Sequence, residues 1–200
     1  MYGGLLAVIV ALFVGPFVVL VWAGVLFPRV AGPASIPEPR RTVRPAAGVT
    51  AANMGRLLGQ RLLQDIQRGG RPPYGARFSE AELSGLLLSV LPGTISQEWL
   101  QFTSGQVAVT PGELEASVVL DAPPFRLPLR VRAVPTGTSG TLHFDIQDVR
   151  LGRLPVPPRL LPGLLGLFFQ YDPRDIALSL GEHGLVGVRT TDRAMELLFE

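Results

Sequence analysis

The chain has 200 residues, enough for one domain of ordinary size besides an N-terminal segment. It has no cysteine, which excludes disulfides, iron–sulfur clusters and thiolate zinc sites, and its net charge of +2 leaves no strong nucleic-acid footprint. Its 19 prolines and 23 glycines argue against a helical bundle and favour short strands, turns and linkers.

Gly3–Phe27 carries no charged residue. At about 1.5 Å per residue it makes roughly 37 Å of helix, enough to cross a hydrocarbon core of about 30 Å. Gly15-Pro16 is a kink of the kind membrane helices tolerate, and Trp22 suits an interfacial belt. A transmembrane anchor over residues 1–28 is the expectation. A cleaved signal peptide is the runner-up, but the basic n-region is missing and the apolar run exceeds an ordinary h-region. Residues 29–45, rich in proline and arginine, read as an extended, semi-rigid spacer. Arg29, Arg40, Arg41 and Arg44 follow the anchor, and the positive-inside rule applied to them points to a cytoplasmic domain.

Ala46–Arg68 has Met54, Leu57, Leu58, Leu62 and Ile66 on one side at helical spacing, and Gly69-Gly70 ends it. Arg71–Arg77, with Pro72-Pro73, reads as a loop. Phe78-Ser79-Glu80-Ala81-Glu82 matches a capping box, with Ser79 at the N-cap, Glu82 at N3 and Phe78 as a staple, opening a helix Glu80–Leu91. Four strands follow. Trp99–Thr110 is the first. Glu113–Leu120 and Arg126–Val134 alternate cleanly, and Thr141–Ile146 places Leu142, Phe144 and Ile146 on one face. Glu113 and Glu115 are expected opposite Arg130 and Arg132 on the solvated face. Gly152, Pro155, Pro157 and Pro158 then turn the chain into an apolar helix, Arg159–Gln170. Ile176–Leu180 and Leu185–Thr190 read as a hairpin joined by Gly181-Glu182-His183-Gly184, and Asp192–Glu200 as a short helical or frayed tail.

No catalytic constellation is evident. His143 lies on the polar face of a strand near Asp145 and Asp148, His183 in a turn, and neither has a partner at metal-ligand spacing. There is no nucleophile elbow, Walker loop or dinucleotide fingerprint. No enzymatic activity and no cofactor are expected.

Three features carry a resemblance. They are the helix entry Phe78-Ser79-Glu80-Ala81-Glu82-Leu83, the four-strand meander, and the corner Val149-Arg150-Leu151-Gly152-Arg153-Leu154-Pro155-Val156-Pro157 before an apolar helix. Together with the apolar N-terminus and linker, the segment from Phe78 to about Val188 resembles the YpmS-like family of bacterial membrane-anchored envelope proteins, which looks similar in build to the tubular lipid-binding superfamily. That resemblance implies an extracytoplasmic domain on a single-pass anchor, against the arginine count.

The expected fold is therefore α+β. An N-terminal transmembrane helix is followed by a single domain over 46–200, an antiparallel curved meander of about six strands packed with two or three helices. The expected function is binding of a membrane lipid or other hydrophobic ligand in a groove lined by Leu87, Val90, Phe144, Leu164 and Phe168. The alternative is a structural or assembly partner of an envelope protein complex without a small-molecule ligand.

Overall fold

A computed structural model describes residues 41–94, 101–122, 125–138, 140–157, 159, 178–179 and 184–200. The fold is α+β. Among the described residues there are two helices, α1 (Ala51–Gln67) and α2 (Glu80–Thr94), and two antiparallel sheets. No described helix is long and apolar enough to cross a membrane. The expected anchor and the apolar helix Arg159–Gln170 lie outside the described residues, Arg159 itself excepted.

The larger sheet is the meander. It runs β2 (Gln101–Thr110), β3 (Glu113–Ala122), β4 (Phe125–Thr138), β5 (Thr141–Leu151) and β6 (Leu154–Pro155), each strand beside the next. The two-residue strand β7 (Leu178–Ser179) pairs with the Thr141–Leu142 end of β5. The smaller sheet has the order β1 (Tyr74–Ser79), β9 (Ala194–Phe199), β8 (Leu185–Thr191).

Alternation holds each strand of the meander on one core face, and bulges reset the phase where it breaks. Leu129, Val131, Ala133 and Pro135 of β4 face Leu151, Val149, Ile146 and Phe144 of β5. The apolar positions of β5 change parity between Ile146 and Val149, and the register shift at Arg132/Ala133 returns both sets to the same face. A shift between Phe102 and Ser104 does the same for Phe102 against Val107 and Val109 in β2. The main core joins both sheets and both helices: Leu58, Phe78, Leu83, Val109, Leu142, Leu185, Leu197 and Phe199 are all buried within it.

Several expectations are corrected. The loop expected over 71–77 is half strand, because Tyr74–Ser79 pairs along β9 from Tyr74↔Phe199 to Ser79↔Ala194. Asp192–Glu200 is not a helical or frayed tail. Its residues 194–199 form the central strand of the smaller sheet, with four of six side chains buried. Leu185–Thr191 makes its hairpin with that strand, while Leu178–Ser179 of the expected partner strand pair with β5. Ile66 does not join the buried side of α1; it is 46% exposed. The capping box is present as read: Glu82 accepts from the Ser79 N–H at 2.9 Å and the Ser79 hydroxyl accepts from the Glu82 N–H at 3.4 Å.

Candidate functional site

The outward face of the meander bears the polar half of each strand. Glu115 sits opposite Arg132, and Ser117 opposite Arg130. The expected solvated acidic–basic ladder is found only in part: Glu115 meets Arg132, but Arg130 faces Ser117 and not a glutamate, and the β3–β4 register begins at Leu114, beyond Glu113. Glu115 is buried, with its carboxylate 3.7 Å from Arg130 Nε. Farther along, Asp148 accepts from Arg132 Nη2 at 3.0 Å and from Arg150 Nε at 2.9 Å. Burial pushes the Asp148 carboxyl up, but these two guanidinium groups outweigh it and hold the group below its ordinary value of 3.8. Glu82 behaves alike. Burial raises it, while the Ser79 amide and hydroxyl and the Arg61 guanidinium bring it below 4.5.

These two carboxylates bias stability with pH. Both have folded pKa values below their unfolded ones, so their contribution is fully present above the unfolded values and is lost as pH falls through the folded ones. Urea midpoints are expected to be flat from pH 7 to about 5 and to fall below it, with Glu82→Gln lowering stability at pH 7 and shrinking the acid-side loss. An acid-side loss as large in that variant as in the parent would contradict this role for Glu82.

The free edge of the meander is β2, and an edge strand needs its backbone groups covered. Helix α2 supplies the cover. The buried Ser84 hydroxyl accepts from the Val107 N–H at 2.8 Å, and the Glu80 carboxylate accepts from the Val109 N–H at 2.6 Å. Residues 41–50 then run as a strap over this seam. Arg41 donates from Nε to Glu80 at 2.8 Å, from Nη1 to Asp192 at 3.0 Å, and also to the Val109 carbonyl. Burial pulls the Arg41 pKa down, and the hydrogen bonds to Glu80 and Asp192 more than restore it, so the guanidinium stays charged. The Gln106 amide brackets the strap's backbone, accepting from Val43 N–H at 2.9 Å and donating to Arg41 O at 2.7 Å. The strap crosses α2 where Ala46 N–H meets Ala81 O at 2.8 Å, and a Cβ at Gly85 would stand 2.6 Å from Ala46 O. Only glycine admits that approach. Residues 41–45 of the expected spacer are thus laid onto the domain.

Between strap and sheet lies an open groove of about 400 Å³. One wall is Val43 and Pro45 of the strap with Leu88 of α2. The floor is Val119 and Pro128, paired across β3 and β4, and Phe102 and Gly105 close the β2 side. Thr103, Ser104, Gln106, Ser117 and Arg130 add polar groups to a mainly apolar lining. The Ser117 hydroxyl is buried without a hydrogen-bond partner.

The five residues read from the sequence as a groove are placed as follows. Leu87 and Phe144 are each packed against the main core, and Leu87 also reaches the cluster of Val118, Leu120 and Leu127. Val90 is 40% exposed on α2. Leu164 and Phe168 lie outside the described residues. The groove's Val119 and Pro128 stand out of phase with the core positions Val118 and Leu129 beside them. Its apolar floor was signalled by two apolar residues, Val119 and Pro128, in outward phase on otherwise polar strand faces. His143 is exposed, and no cluster of metal-ligating side chains occurs among the described residues.

Fold and site together define an α+β domain with a strapped amphipathic groove. No family model, curated protein or solved structure matches the chain.

Proposed function

We propose that the protein is a single-pass, membrane-anchored envelope protein whose extracytoplasmic domain binds the acyl portion of a membrane lipid. The groove beneath the strap carries this reading. Its volume, about 400 Å³, falls within the roughly 300–1,000 Å³ of small-molecule sites, and its lining is the mainly apolar surface with few polar groups such sites use. Val43, Pro45, Leu88, Val119 and Pro128 offer contact to a hydrocarbon chain. Ser117, Gln106 and Arg130 offer hydrogen bonds to the polar end of an amphiphile. The charge-free stretch 3–27 supports placing this groove close to a supply of such chains.

The test uses the full chain in vesicles of phosphatidylethanolamine and phosphatidylglycerol containing a diazirine-labelled acyl chain. After irradiation, peptide mass spectrometry should find adducts on 102–106, 117–119 and 128–130. Val119→Trp, which fills the groove from its floor, should cut those adducts by about tenfold while leaving the circular dichroism spectrum and any adducts in 3–27 unchanged. Adducts confined to 3–27 in the parent protein would overturn the reading.

A further inference from the structure

We propose that the first half of the strap, Arg41–Pro45, is the gate of the groove, and that the Gln106 bracket is its latch. This rests on the groove being the lipid site.

Three observations carry it. First, the strap is itself a wall of the groove, through Val43 and Pro45. Second, no residue from 41 to 50 is buried; Val43 and Pro45 are half-buried, and Thr42 and Arg44 are exposed. Its hold on the domain is polar and local: the Arg41 contacts at one end, the two Gln106 hydrogen bonds in the middle, and the Ala46–Ala81 bond where it crosses α2. An element with few buried apolar contacts opens at far lower free energy than the core strands. Third, Gln106 belongs to both structures. Its side chain brackets the strap's backbone, and it lines the groove. A ligand entering beside Gln106 meets the latch directly.

The strap is also the covalent route from residues 1–40 into the domain. Lifting it widens access to the Val119–Pro128 floor along the wall that Val43 and Pro45 form. An acyl chain then enters past the lifted strap, and reclosure shields it from water.

Gln106→Ala removes two hydrogen bonds without stranding a charge. The chain has no cysteine, so Val119→Cys is the sole reactive thiol. Maleimide labelling of Val119→Cys in the full chain is expected to run about tenfold faster when Gln106→Ala is added, the effect of two weak hydrogen bonds. Hydrogen exchange at the Val43 amide should speed up by a similar factor. In the diazirine vesicles, Gln106→Ala should shorten the time to half-maximal groove adducts by about tenfold, with the final adduct positions unchanged. Asp192→Asn, which weakens only the exposed leg of the Arg41 contacts, should move all three readouts in the same direction but less.

The outcomes separate. Groove adducts that form in the parent at the rate seen in Gln106→Ala would overturn the gate and leave the lipid site standing. Faster labelling with unchanged adduct kinetics would also overturn it, since the strap then moves without controlling entry. No groove adducts in any variant would remove the lipid site and the gate together.

Discussion

Phe199→Ala is expected to lower the unfolding free energy by about 3–5 kcal/mol, the largest effect of any single substitution named for this protein. Phe199 is 2% exposed. It lies on the central strand of the smaller sheet, opposite Tyr74 on one side and Leu185 on the other. Its ring fills the same core as Phe78, Leu142 and Leu197. Removing it leaves a cavity that neighbours on three strands cannot collapse into without breaking pairing. The adjacent Glu200 is exposed, so Glu200→Ala should stay within about 0.5 kcal/mol. Equilibrium urea unfolding followed by near-ultraviolet circular dichroism checks both. If F199A matched E200A, the C-terminal strand would be an ornament rather than the middle of a sheet.

Glu80→Ala is expected to cost about 2–4 kcal/mol, for a different reason. Glu80 is 7% exposed and accepts from the Val109 amide at the sheet edge as well as from Arg41. Losing the acceptor strands the amide of a fully buried residue, which alone costs about 1–3 kcal/mol. The lost ion pair adds less, because the Arg41 side chain is 28% exposed and solvent screens it. The edge amide therefore outweighs the salt bridge. Glu80→Gln, which can still accept from Val109, should cost clearly less than Glu80→Ala. A double-mutant cycle with Arg41→Ala should return a coupling of about 1–2 kcal/mol. Equal losses for Glu80→Gln and Glu80→Ala would mean that the charge, and not the edge, is what Glu80 serves.

Period, caps and breakers made much of this fold legible. The alternation in 113–120 and 126–134 located β3 and β4, and the Ser79/Glu82 box located the start of α2, because both signals are local and written in consecutive side chains. β9 was not legible. Ala-Met-Glu-Leu-Leu-Phe lacks β-branched residues and has no clean alternation, and the turn before it, Thr191-Asp192-Arg193-Ala194, has no glycine. Arg193 adopts φ 67°, a left-handed conformation that its residue type does not announce. Partner strands decided the matter: β1 and β8 offer ladders on both sides, and pairing overrode weak propensity.

The candidate site divides in the same way. That the strands have one apolar and one polar face follows from composition at period two. Which face holds a groove does not. Leu87 and Phe144 have the chemistry of a ligand wall, yet packing spent them on the core. Val119 and Pro128 are unremarkable apart until register sets them side by side, and the strap reaches them only because Gly85 lets Ala46 pass over α2.

By itself the chain determined its charge-free first stretch, the capped helix α2 and the one-sided strands, since those depend on neighbours three or four residues away at most. Tertiary structure alone decided that Arg41 grips Glu80 from 39 positions upstream and Asp192 from 151 positions away, and that the chain's last strand is the centre of a sheet. Contacts at such separations leave no periodic trace in sequence. They exist only once the closure entropy of the intervening chain has been offset by the core as a whole.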